Sequence, residues 1–246
     1  MKFSTQKSMQ IENVNYWANY APLISWRTVM LSLILSLLSV LKSRQVNYVS
    51  AYTQAPLDCI LYMNIPPSFI VQNDQLIFPR SLTRGNNSDF ILRIIKNMYS
   101  LKRAGYNWFD TLKESLLARG FTQSSIDPCL FIRASCIIVV YVDKSLFFAK
   151  SDDVLDSLIA SWKSEFDLTS DGDVGTFLGV DIQHTTKGLL VLVQTGLIDK
   201  LISICGLKSE SNQHKMSVTN ILHDDATGAV CEHTCNYRSV IGMLTY

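Results

Sequence analysis

The stretch IIVVYVDKSLFFA, residues 137–149, constrains the fold more than any other. Two runs rich in Ile, Val and Phe, split by Asp143 and Lys144, read as a tight hairpin with those two charges at its tip. An Asp in an exposed turn is also an ordinary turn residue, so the tip acquires chemical meaning only from what the rest of the chain brings to it.

With 246 residues, 48% of them hydrophobic, there is ample material for a buried core, which excludes a disordered chain. Lys and Arg number 22 against 21 Asp and Glu, so the chain lacks the basic excess of a self-sufficient nucleic-acid binder. The cysteines, Cys59, Cys129, Cys136, Cys205, Cys231 and Cys235, stand apart without CxxC spacing. That usage suits a reducing, intracellular setting, cytoplasmic or nuclear. The CEHTC segment at 231–235, with His223 nearby, lacks the second ligand pair of a zinc site, so no metal cluster is expected. Residues 29–41 are apolar but interrupted by Ser32, Ser36 and Ser39. They fall short of the about 20 apolar residues of a spanning helix, so they read as a buried helix starting near Ser25 or Trp26, and no membrane partner is expected.

Residues 43–52 read as a strand leaving through a turn, and 60–69 as a strand stopped by Pro66 and Pro67. The polar stretch 80–89 reads as a loop, and 90–95 as a strand. Trp108, Leu112 and Leu116 recur every four residues, with Phe109 and Leu117 widening the stripe, along a helix that Gly120 closes. CLFIRA and CIIVVYV pair as strands. Leu155, Leu158, Ile159, Trp162 and Phe166 form the apolar face of the next helix, capped by Ser151 or Asp152. TFLGVDIQH and GLLVLVQ read as two strands joined by a TTKG turn, followed by a helix over about 196–204, and residues 208–236 as an irregular polar tail. Strands and helices mix without strict alternation, which predicts an α+β fold with a mainly antiparallel sheet packed on helices.

Seven segments in order carry a resemblance: NYWANYAPLISW, RQVNYVSAYTQAPLDCILYMNIPPSF, NMYSLKRAGYNWFDTL, GFTQSSIDPCLFI, VVYVDK, GTFLGVDI and NYRSVIGMLTY. Together they resemble the reverse transcriptase of Ty1/copia-type LTR retrotransposons. The resemblance implies a right-hand polymerase palm with partial fingers, Mg²⁺ as cofactor, and an RNA or DNA template-primer and deoxynucleoside triphosphates as partners. In that chemistry two metal ions about 3.5–4 Å apart stabilise the attacking and leaving oxygens, held by carboxylates from different strands. The family supplies one Asp at a strand end and an Asp-Asp pair at a hairpin tip.

Carried over by position, the first Asp falls on Asn47 and the second tip Asp on Lys144, leaving Asp143 as the one retained metal ligand. A lysine ammonium at ~5 Å repels a dication by roughly 6–7 kcal/mol at an effective dielectric of ~20, an upper bound because the side chain can swing into solvent. Asp58, Asp127 and Asp181 are the other carboxylates weighed as replacements, and none lies at a family ligand position. Tyr52 matches the aromatic residue that screens out ribose 2′-hydroxyls. Lys102 and Arg103 match the segment contacting nucleotide and template, with Arg103 in place of glutamine. Phe177, Leu178 and Gly179 match the primer-grip turn.

The expected organisation is a leader over 1–8, a palm and truncated fingers over 9–207, and a tail over 208–246 beginning the connection to a missing ribonuclease H domain. The resemblance implies an internal piece of a longer polyprotein, a polymerase by descent and inactive as it stands. The alternative is a non-enzymatic nucleic-acid or protein binding module that retains the palm.

Overall fold

The computed structural model describes residues 10–14, 16–64, 91–134, 136–185, 189–206 and 237–244. The leader, the strand stop at Pro66 and Pro67, the 80–89 loop, most of the TTKG turn, and the 208–236 tail with His223, Cys231 and Cys235 lie outside them. The chain divides into two units, Met1–Val174 and Gly175–Tyr246.

The first unit runs α1 (Trp26–Leu38), β1 (Lys42–Tyr48), α2 (Ala51–Gln54), β2 (Pro56–Asn64), β3 (Ile91–Lys96), α3 (Ala104–Ala118), β4 (Thr122–Gln123), β5 (Leu130–Arg133), β6 (Cys136–Tyr141), β7 (Lys144–Ala149), α4 (Asp152–Lys163) and β8 (Leu168–Ser170). Six strands form a sheet in the order β4-β5-β6-β7-β1-β8, each neighbouring pair antiparallel, while β2 and β3 pair separately. This is the α+β arrangement, antiparallel sheet on helices, that the residue pattern predicts.

Each helix follows from local chemistry. At the start of α1 the Ser25 hydroxyl accepts from the Thr28 N–H at 3.1 Å. Ser32 and Ser36, on its buried face, donate to the carbonyls of Thr28 and Leu33, which lets an apolar run carry hydroxyls inward without orphaning them. The α3 helix ends in a Schellman arrangement: Gly120, at φ +78°, donates to Leu117 O, and Phe121 N–H reaches Leu116 O at 3.1 Å. Asp152 and Asp153 in the first turn of α4, with Lys163 in its last, complement the helix dipole.

Trp108, Leu112 and Leu116 of α3 and Leu155, Leu158, Ile159 and Trp162 of α4 pack on Val46, Tyr48, Ile138, Val140 and Phe147 of the sheet. Edge-to-face contacts join Tyr48, Trp108 and Phe166, with Tyr48 and Trp108 centroids 5.0 Å apart. The buried Tyr48 hydroxyl accepts from Trp162 Nε1 at 3.0 Å, and burial pushes its phenol well above the ordinary range.

In the second unit β9 (Thr176–Phe177) pairs with β10 (Val180–His184), which pairs with β11 (Leu190–Val193); α5 (Thr195–Ile204) and α6 (Tyr237–Leu244) are the helices among its described residues. The single strand expected over TFLGVDIQH is instead a hairpin. Leu178 and Gly179 both take positive φ, +53° and +77°, the demand of a two-residue type I′ turn.

The buried Asp127 carboxylate ties α1 to the sheet, accepting from Ser25 N–H at 3.0 Å, Thr28 Oγ1 at 2.6 Å and Cys129 N–H at 3.0 Å. Burial pushes its carboxyl up, but these bonds outweigh it and hold the group below the ordinary carboxylate range. Such a group contributes stability that is complete above the unfolded value of about 3.9 and is lost as pH falls through the lower folded value. Asp127→Ala is therefore expected to lower the unfolding free energy by about 2–3 kcal/mol at neutral pH, with a flatter acid limb. Urea denaturation across pH 2–7 checks both.

Candidate active site

The hairpin and β1 build one end of the sheet. Asn47 stands opposite Lys144 of β7 and opposite Thr169 of β8. The next ladder bond runs from Tyr48 N–H to Asp143 O at 2.8 Å, which makes Asn47 and Lys144 a non-hydrogen-bonded pair, the class whose facing side chains come closest. The two loop residues are Val142 and Asp143, not Asp143 and Lys144 as expected. Lys144 pairs with Tyr141 as the first residue of β7, because the two-residue turn consumes Val142. Val142 sits at φ +47°, where hairpins usually place glycine and a β-branched side chain is strained. Its carbonyl accepts the indole N–H of the buried Trp108, so the core holds the tip. Asp143 is exposed at that tip.

The Asn47 side chain is engaged elsewhere. Its amide Nδ2 donates to the carboxylate of Asp171, as does Gln45 Nε2 at 3.5 Å. Asp171 continues the β1–β8 ladder by one step: its N–H donates to Gln45 O at 3.0 Å and Gly172 O accepts from Gln45 N–H at 2.9 Å. Gln45, Asn47 and Asp171 thus share one face of the sheet. The Asn47 Oδ1 and Gln45 Oε1 atoms are buried without a hydrogen-bond partner among the described residues. Residue types alone did not single out Asp171. The one signal for it is register, since Thr169 opposite Asn47 puts residue 171 opposite Gln45.

Tyr52 lies on the short α2, half-buried, its ring 5.0 Å from that of Tyr99. Burial first, and then the charge of Asp143, push both phenols up. Tyr52, Gly105, Trp108, Val140 and Val142 line a small pocket of about 80 Å³ beside the tip.

Arg103 precedes α3 and is buried. Its guanidinium pairs with Asp58, donates to Ala18 O, and lies 4.5 Å from the Trp17 ring centroid and 4.6 Å from that of Tyr106. Asn107 Nδ2 holds the other Asp58 oxygen at 3.0 Å. The Lys102 N–H is taken by Gln10 Oε1 at 2.7 Å and its ammonium lies 5.2 Å from the Tyr16 ring centroid. Phe177, Leu178 and Gly179 form the β9–β10 corner of the second unit, with Phe177 fully buried. Asp58 and Asp127 are committed to the partners described, and Asp181 accepts from Thr176 Oγ1 at 2.9 Å.

A family model described as Reverse transcriptase (RNA-dependent DNA polymerase) matches residues 2–219. The chain belongs to this family. It is 24% identical over 243 residues to the Retrovirus-related Pol polyprotein from transposon RE2 of Arabidopsis thaliana, covering 96% of this chain and 16% of that protein. It is 24% identical over 205 residues to the putative transposon Ty5-1 protein of Saccharomyces cerevisiae, covering 80% of this chain and 61% of that protein. To the transposon Ty1-BR Gag-Pol polyprotein of the same yeast it is 30% identical over 174 residues, 70% of this chain and 9% of that protein. The chain thus spans less than two thirds of the length of each of these relatives. No solved structure matches. The sheet-on-helix unit is the palm-type fold of a copia-type reverse transcriptase.

The side chains present do not fit a pair of magnesium ions. Asn47 offers a neutral oxygen, Lys144 a positive charge on the facing strand, and Asp143 a single exposed carboxylate. Among the described residues no group of three His, Cys, Asp or Glu side chains is placed to hold a metal ion.

Arg103 clamps the segment around Trp17 to β2 and α3. Arg103→Gln is expected to destabilise the chain by about 2–3 kcal/mol, since it leaves Asp58 without its counter-charge in a partly buried site. Asp58→Asn added to that variant should cost little more. A double-mutant cycle read by urea denaturation measures the coupling.

Proposed function

We propose that this chain is a copia-type reverse transcriptase domain by descent whose site no longer supports RNA-directed DNA synthesis. The observation that carries the reading is the close pair of Asn47 and Lys144 beside Asp143. Two of the positions matching the family's carboxylates lack a negative charge, and one of them carries a positive charge. The ancestral reaction joins deoxynucleoside triphosphates to a primer on an RNA or DNA template, and the backbone for it, strand end next to hairpin tip, is retained. Tyr52 keeps the aromatic side chain that would screen the sugar of an incoming nucleotide.

A second reading, a binding module that kept the palm without the chemistry, is favoured by the closed aromatic core beneath the tip. Tyr48, Trp108, Trp162 and Phe166 remain mutually packed, so the sheet keeps its shape whatever its charges do. Salt-dependent binding of the chain to a primer-template duplex without incorporation would select this reading.

Primer-template incorporation with Mg²⁺ or Mn²⁺ tests the proposal, comparing the chain with its Asn47→Asp, Lys144→Asp double variant. No incorporation above background is expected from the chain as it stands, and a rise of at least about 100-fold from the double variant, in keeping with the contribution of preorganised charge to transition-state stabilisation. Incorporation by the unaltered chain would contradict the reading.

A further inference from the structure

We propose that the outward face of α1 is a self-association surface, on which a second copy of this chain packs its own α1 antiparallel. The composition of residues 26–38 predicts a helix buried all round, yet α1 buries one face only, and that face holds every hydroxyl of the helix. Thr28, Val29, Ser32, Leu33 and Ser36 are its buried residues, with the three hydroxyls engaged by Asp127 and by the carbonyls of Thr28 and Leu33. Trp26, Met30, Leu31, Ile34, Leu35 and Leu38 are left outside, exposed by 52% at Leu31, 49% at Ile34 and 76% at Leu38. At helical spacing these six form one continuous stripe, uncovered among the described residues.

Area and charge name the occupant. The six outward side chains expose about 500–600 Å², the upper end of the roughly 300–600 Å² that the largest apolar patch of an ordinary monomer reaches. It also matches the apolar share, about 65%, of the ~800 Å² that each partner buries in a standard homodimeric interface. A lipid surface would be met by several Lys or Arg around such a face, and α1 carries Arg27 alone. Arg27 is exposed in the first turn, where it opposes the dipole of its own helix, and the last turn has no basic residue. Antiparallel pairing about a two-fold axis that sets Leu31 against the second copy's Ile34 also sets Met30 against Leu35 and Arg27 against the turn at Leu38. Each Arg27 then lies beside the negative end of the other helix, so one arrangement covers the stripe and places the charge.

Sedimentation equilibrium of the full chain at about 1–100 μM tests this, beside Ile34→Glu, Arg27→Glu and, as a control at an exposed apolar residue of β3, Ile95→Glu. Circular dichroism confirms folding, and Leu31→Gln, Ile34→Gln replaces the glutamate variant if that does not fold. The unaltered chain and Ile95→Glu are expected to dimerise with a dissociation constant of order 1–10 μM, Arg27→Glu to weaken the dimer about 10-fold, and Ile34→Glu to leave a monomer across the range. A monomeric unaltered chain, association that survives Ile34→Glu, or equal loss in Ile95→Glu would overturn the proposal. Unchanged affinity in Arg27→Glu would overturn the antiparallel arrangement. A monomer that floats with phosphatidylcholine vesicles, and ceases to in Ile34→Glu, would overturn it by assigning the face to a lipid surface.

Discussion

The antiparallel pairing of β1 with β7 is the constraint on which the rest depends. Its register, from Lys42 opposite Ala149 to Asn47 opposite Lys144, carries Val46 and Tyr48 into the core and leaves Gln45 and Asn47 on the opposite face. A slip of one residue would exchange those faces. The Tyr48 N–H bond to Asp143 O pins the hairpin tip to the strand end, and the Trp108 indole, donating to Val142 O, pins it to the helices. Everything chemical about the site, and everything altered in it, follows from which side chains that register lines up.

Core and site have separate physical requirements, and this chain meets them unequally. The core needs volume and satisfied polar atoms, and the Tyr48, Trp108, Trp162, Phe166 cluster supplies both. The polymerase site proposed here would need negative charge at fixed points, and Asn47 and Lys144 do not supply it. Neither exchange disturbs the ladder, because backbone hydrogen bonds do not depend on side-chain charge. The fold therefore does not decide the chemistry, and function must be argued from the site alone.

The hairpin and the α3 and α4 stripes were legible in the sequence because a periodic apolar face is a local property. The Leu178–Gly179 corner gives no periodicity signal, because Leu at φ +53° is not a turn residue type and the apolar run through it reads as one strand; only the resemblance pointed to a turn there. Arg103 read from its motif as a nucleotide- or template-contacting residue. It is buried because Trp17 and Asp58, distant in sequence, come to it. Asp171 was invisible for the same reason: its place beside Asn47 is set by strand register, a non-local quantity, while its neighbours Gly172 and Asp173 suggest an ordinary turn. That Asn47 and Lys144 stand at the family's carboxylate positions is proposed from motifs, and what surrounds those two residues was not legible in them.

The most direct test of the account is a crystal structure of the chain grown with Mn²⁺, with anomalous scattering used to locate the ion. The account predicts no manganese peak at the end of β1, beside Asn47, Asp143 and Lys144. A peak shared by Asp143 and Asn47 Oδ1, with Lys144 turned into solvent, would contradict it.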